Sequence, residues 1–179
     1  MDDCDDQITE LLDVARDLLG TGDDPRALAE ANLAVSRALA IKVDDPRAWL
    51  VKCQVLSAQG DDAAALAAAE MALRRSPRAA EAHYWRAAVL GDLGHFREGL
   101  RAIDRAFTHL SPDDSWLLED LYYEKATMLE ALGEREAARA TYEAGLERCP
   151  ASTLLRAALE PLTPARRAAQ LKLLRGGLT

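Results

Sequence analysis

Apolar side chains recur along this chain at spacings of three and four, in short runs that stop and restart at a fixed interval. Trp49, Cys53 and Leu56 fall on one helical face, and Gly60 ends that run. Asp61 then caps a second helix, where Ala65, Leu66, Ala69, Ala72 and Leu73 keep the spacing until Pro77 closes it. The same places recur 34 residues on, at His83, Ala87, Leu90, Gly94, Gly99, Leu100, Ile103, Ala106 and Phe107, with Pro112 one residue late. A further shift of 39 lands on Tyr122, Ala126, Leu129, Gly133, Ala138, Tyr142, Gly145, Leu146 and Pro150. The pattern predicts three helical hairpins, over 46–79, 80–113 and 114–152. A single hairpin cannot bury its apolar stripe alone, so the chain is read as a stack in which neighbours complete one another's core.

A degenerate copy precedes these over 8–45, with Leu11, Ala15, Leu18, Gly22, Ala27, Leu28, Ala31 and Ala34 in register. Asp24 and Pro25 predict the start of its second helix, which runs on to about Lys42. After Pro150, Leu154–Leu159 reads as a helix. Thr163-Pro164 starts another to Arg175, whose Arg166, Arg167, Lys172 and Arg175 give the polar outer face a terminal cap needs while Leu171 and Leu174 turn inward.

This pattern resembles the tetratricopeptide repeat family: a large residue (Trp49), a small one (Cys53), Leu56, Gly60, small Ala65 and Ala72, and closing Pro77. The resemblance covers roughly residues 8 to 152 and implies an all-α, right-handed superhelical solenoid of antiparallel helix pairs in one domain, with C-terminal capping helices over 153–179. Small residues stand where paired helices touch, at Ala65, Gly99 and Ala138 in one column and Ala72, Ala106 and Gly145 in another. The family's leucine three residues after Trp49 is replaced by Lys52, with Arg86 and Lys125 at the equivalent places.

Composition supports a small-residue helical core. Among 179 residues are 35 alanines, three tryptophans, four tyrosines and two phenylalanines. Arginine outnumbers lysine by 18 to 4, which beside the alanine excess suggests a GC-rich bacterial gene. No apolar run approaches a membrane span, the acidic start lacks a signal-peptide pattern, and Cys4, Cys53 and Cys149 give no metal spacing or even disulfide set. Together these predict the reducing cytoplasm. A net charge of −8 argues against nucleic acid, which requires a basic stripe. The charge is uneven, with nine acids and one base over 1–24 and four bases and no acid over 161–179. Both ends read as solvated faces or as complementary ends for head-to-tail association.

Catalytic motifs are not found. His83 stands at the large core position, His95 in a turn and His109 near a helix end, and none has a motif partner for nucleophilic or metal chemistry. The expectation is a non-enzyme without metal or cofactor.

In the family the first helix of each hairpin lines a concave face. Here those rows are Arg47, Leu50, Gln54 and Ser57, then Glu81, Tyr84, Ala88 and Gly91, then Asp120, Tyr123, Thr127 and Glu130, with Thr9, Leu12, Arg16 and Leu19 from the first unit. Leu50, Tyr84 and Tyr123 are the expected apolar anchors, although the tyrosines fit packing between repeats equally well. Trp85 reads as core or edge packing. Glu81, Asp92, Asp120 and Glu130 make the face acidic, so the expected partner is a protein or peptide presenting lysine or arginine beside apolar side chains. The cationic clamp with which part of the family binds acidic chaperone tails is missing, because Leu50, Val51, Gln54, Glu81 and Trp85 occupy its places. Lys52, Arg86 and Lys125 form a rival column of cations, or lie along helix edges with their charges in water.

Five extra residues before the third hairpin, around Ser111-Pro112-Asp113-Asp114-Ser115-Trp116, predict a capped start and a longer first helix carrying Trp116 and Leu117 beyond the stack. They are candidates for a second partner or dimer contact, unless Trp116 folds back onto Phe107 or Leu110. The functional expectation is an interaction adaptor that binds a partner segment in its groove. A dedicated chaperone for a secreted or assembled substrate and a self-assembling scaffold are the alternatives.

Overall fold

The structure is a computed structural model that describes residues 3–22 and 24–163. All regular secondary structure among them is helical. The chain divides into two compact units, Met1–Leu110 and Ser111–Thr179.

The first unit contains three helix pairs: α1 (Asp3–Leu19) with α2 (Pro25–Ile41), α3 (Pro46–Ala58) with α4 (Asp62–Arg75), and α5 (Ala80–Asp92) with α6 (Phe96–His109). Pairs stack through α2 on α3 and α4 on α5, and the first helices also meet one another, α1 on α3 and α3 on α5. The second unit contains α7 (Leu118–Ala131) paired with α8 (Arg135–Arg148), and α9 (Thr153–Leu159) packed on both. The helix expected over Thr163–Arg175 lies almost wholly outside the described residues.

Local chemistry fixes the helix ends. Asp24 Oδ1 accepts from the Arg26 N–H at 3.1 Å, Asp45 Oδ1 from the Arg47 N–H at 2.9 Å and Asp61 Oδ1 from the Ala64 N–H at 3.1 Å. Proline opens α2 and α3, where its missing N–H costs nothing. The three internal turns are copies of one another. Gly60, Gly94 and Gly133 take φ of 76°, 75° and 78°, and just beyond each the chain donates back to the helix: Asp61 to the Leu56 carbonyl, His95 to Leu90 and Glu134 to Leu129, at 2.8–2.9 Å.

The small columns stand at the helix crossings. Ala65, Ala138 and Ala106 are fully buried and Ala72 nearly so, and Gly99 and Gly145 are buried with them. Gly145 is small for a steric reason. A Cβ there would stand 2.8 Å from both Leu155 Cδ1 and Tyr122 Cβ, and the latter cannot move without its backbone. Alanine gains about 1 kcal/mol over glycine inside a helix, but overpacking a fitted core costs about 1–3 kcal/mol. Gly145→Ala should therefore lower the free energy of urea unfolding, and unchanged stability would mean that α9 yields freely.

The insertion departs from expectation. Its residues do not lengthen α7, which has 14 residues against 13 in α3 and α5. They form a 3-10 turn, Pro112–Leu117, closed by Ser111, whose N–H and Oγ both donate to Asp114 Oδ2 at 3.2 and 2.7 Å. Leu117 is fully buried rather than carried outward, because the tight turn brings it into the core where a projecting helix would hold it in water. Trp116 remains 59% exposed.

Candidate interaction surface

Arg47, Leu50, Gln54 and Ser57 of α3 share one helical face, and two hollows open along it within the first unit. A cleft of about 470 Å³ is lined by Arg16, Leu19 and Gly20 from the end of α1, Gln54, Ser57 and Ala58 from α3, and Trp85 from α5. An apolar socket of about 110 Å³ lies toward the start of α3, lined by Pro46, Arg47, Leu50, Ala72, Ser76, Ala79 and Ala82.

The expected residues divide by what holds them. Leu50 is not an exposed anchor: it is 9% exposed and packs with Ala72 and Ala82 at the socket, against Trp49 and Trp85, because the small column leaves room for it. Leu12 likewise faces the core. Arg47 is an internal clamp. Its guanidinium donates to Asp45 Oδ1 and Oδ2 at 3.1 and 2.8 Å, to Asp5 Oδ1 at 2.6 Å and to Thr9 Oγ1 at 3.4 Å, tying α1 to α3. Burial raises the pKa of Asp45, but hydrogen bonds from Arg47 and its charge outweigh this and hold the carboxyl below its ordinary value.

Gln54 Nε2 donates to Glu81 Oε1 at 3.2 Å, which joins α3 to α5 beside the cleft. Tyr84 is half-buried and meets Trp85 edge to face at 5.5 Å. Trp85 packs on the core, as read from sequence, against Leu50, Ala72 and Ala82, and it also lines the cleft. It lies one turn beyond Glu81, which is the signal that could have placed it on this face. Asp92 ends α5 away from the cleft lining, and burial together with the Asp62 charge raises its pKa.

In the second unit Asp120, Tyr123, Thr127 and Glu130 are all half-buried on α7. Burial and then the neighbouring Glu119 raise the Asp120 pKa. Thr127 Oγ1 donates to the Glu124 carbonyl at 3.0 Å, and Glu130 Oε1 accepts from the buried Tyr142 hydroxyl at 2.9 Å. The cationic column is tied down in part: Lys52 Nζ donates to Asn32 Oδ1, and Arg86 reaches Glu70 at 3.9 Å. Burial lowers the Lys52 pKa.

His83 is 4% exposed and stacks on His109 with ring centroids 5.6 Å apart. Its Nε2 lies 2.9 Å from the Pro77 carbonyl and therefore carries the proton, and buried Nδ1 has no partner among the described residues. Burial lowers its pKa, the Pro77 carbonyl partly opposes this, and the charges of His109, Arg105 and Arg86 add to the lowering. A folded pKa below the unfolded one, near 6.5, means a stabilisation present above that pH and lost as pH falls through it. The melting temperature should therefore drop more between pH 7.5 and 5.5 in the parent than in His83→Gln; equal drops would contradict this.

Cys53 is fully buried, which pushes its thiol up to about 12 and leaves it unreactive. Among the described residues, no group of three or more His, Cys, Asp or Glu side chains is placed to hold a metal ion, and no helix is long and apolar enough to cross a membrane.

Residues 119–152 match the family model of the tetratricopeptide repeat. Those residues are a tetratricopeptide repeat, and the fold of the chain is similar to that of solved tetratricopeptide repeat proteins. No curated protein sequence matches it. Among solved structures, PilF of Pseudomonas aeruginosa superposes with a TM-score of 0.81 at 14% identity, over 93% of this chain and 72% of that one. MamA of Desulfovibrio magneticus RS-1 gives 0.71 at 15% identity, over 97% and 98%. YrrB, a tetratricopeptide repeat protein with an unusual peptide-binding site, gives 0.60 at 19% identity, over 83% and 76%. Identities this low carry the fold. Within it, the repeat of residues 119–152 is α7 with α8, and three further helix pairs precede it.

Proposed function

We propose that this chain is a non-catalytic interaction module that takes a segment of a protein partner on the first-helix face of residues 1–110. The observation that carries the reading is the cleft between the end of α1, α3 and α5, lined by Trp85 together with small Gly20, Ser57 and Ala58. A tryptophan beside small residues offers a partner side chain apolar area at little entropic cost. Arg16, which lines the cleft, is paired with Asp13 at 3.2 Å, and Glu81 beside the cleft residue Gln54 favours a partner carrying lysine or arginine beside apolar residues. YrrB, described by a peptide-binding site, is a precedent for this use of the fold. Trp116 is the proposed second contact, and the three free cysteines suit a reducing cytoplasm.

The reading is tested by placing a photo-crosslinking phenylalanine at Ser57, on the cleft, and separately at exposed Ala67 on the outer helix α4. Irradiation in host lysate should join a partner through position 57 and not through 67. Joining through 67 alone would move the interaction to the other face.

A further inference from the structure

The first turn of α5 and the last turn of α6 meet at two imidazoles, and one of them has no means of carrying a charge where it stands. His83 is 4% exposed, its Nε2–H donates to the Pro77 carbonyl at 2.9 Å, and its buried Nδ1 has no partner among the described residues. A second proton, on Nδ1, would make a buried cationic donor without an acceptor. The surroundings oppose that proton further. His109, the last residue of α6, stacks on the ring with centroids 5.6 Å apart and planes 27° apart. The charges of His109 and Arg105 from α6 and of Arg86 from α5 itself all act against a cation on His83. Of the polar groups that α3 and α4 send to α5, Gln54 reaches Glu81 at 3.2 Å and Glu70 reaches Arg86 at 3.9 Å. Asp104 on α6, Arg74 and Arg75 on α4, and Arg78 in the turn before α5 are exposed.

A protonated His83 is therefore relieved only by reaching water. The whole unit can unfold, or the turn stacked on the ring can leave. The second route is the shorter one, because a terminal turn opens at a fraction of the free energy that unfolds a core. Ala102, Ile103 and Ala106 are fully buried and hold the body of α6, whereas Phe107 and His109 beyond them are only half-buried.

We propose that the His83–His109 stack is an acid-released latch: neutral His83 keeps the last turn of α6 on α5, and a second proton on His83 frees that turn while the body of α6 stays packed. The latch lies within residues 1–110 and does not depend on the cleft being a binding surface. Burial and the neighbouring charges hold the His83 pKa below its ordinary value in the closed form, and the opened form titrates near about 6.5. Opening is thus rarest above that pH and grows as pH falls below it. One proton taken up in this way raises the open population by at most about tenfold between about pH 7.5 and about pH 5.5.

Amide hydrogen exchange of the full-length protein, followed residue by residue by NMR at those two pH values and corrected for the intrinsic pH dependence of exchange, tests the latch. Amides of residues 107–109 should lose protection about three- to tenfold on acidification, and those of α4 and of residues 100–104 less than about twofold. His83→Gln keeps a donor for the Pro77 carbonyl and takes up no proton, so its loss over 107–109 should vanish. His109→Gln removes one of the opposing charges and should make the loss smaller. Circular dichroism establishes that each variant is folded, and half-buried His109 carries the test should His83→Gln fail to fold. A loss of the same size in the parent and in either folded variant would overturn the latch. So would a loss spread evenly over α4, α5 and α6, which is acid unfolding of the whole unit.

Discussion

Tyr142→Ala should destabilise the α7–α8 hairpin by about 3–5 kcal/mol, the range for truncating a buried aromatic. Tyr142 is the largest fully buried side chain among the described residues, and its hydroxyl donates to Glu130 Oε1 at 2.9 Å. Truncation leaves a cavity and removes the donor of a half-buried carboxylate. At this chain length 1 kcal/mol corresponds to about 2–4 °C, so the melting midpoint of this region should fall by at least about 6 °C. Tyr142→Phe keeps the ring and should cost about 1 kcal/mol, the net worth of one hydrogen bond. A Tyr142→Ala chain that melts like the parent would mean that α8 is held in some other way. The effect also reaches the surface, since Tyr142 holds Glu130 and its ring lies 6.3 Å from that of Tyr123.

Ala72→Phe and Ala106→Phe should each destabilise by about 1–3 kcal/mol or more, for the opposite reason. Ala72 is 1% exposed and Ala106 fully buried, each on the second helix of its pair where the neighbouring helices close in. A phenylalanine cannot leave either site without parting those helices. The two substitutions should differ in one respect. Ala72 lines the socket beside Leu50 and Ala82, so its replacement should also abolish the socket, whereas Ala106 touches neither hollow. Thermal melts unchanged by both would refute the register on which the core rests.

The register was legible in the sequence because it is written in local chemistry. A glycine at φ near 76°, an aspartate that caps and a small residue at a crossing each need a particular residue at a particular place, and Gly60, Asp61, Ala65 and Ala72 supply them in order. The interaction surface was legible only as a helical face. Leu50 and Gln54 look alike in periodicity, yet Leu50 is covered by Ala72 and Ala82, residues 22 and 32 positions away, while Gln54 stays at the cleft. Arg47 reads as an exposed cation until Asp5, 42 residues earlier, is seen beside it. Trp85 reads as packing and does pack on Leu50, Ala72 and Ala82, but that it also lines the cleft depends on where α1, α3 and α5 meet. The insertion was misread for a related reason: capping chemistry starts a 3-10 turn as readily as an α-helix, and burial of Leu117 decided between them.

Association and dissociation kinetics of the crosslinked partner with the full-length protein test the central claim most directly. Buried anchors govern how fast a complex falls apart, and rim charges govern how fast it forms and how salt slows it. If the first-helix cleft is the binding surface, Trp85→Ala should raise the dissociation rate by about tenfold or more with little change in association. Glu81→Lys should slow association and flatten its salt dependence. Parent-like rates for both variants, with both folded, would contradict the account and place the interaction elsewhere on the chain.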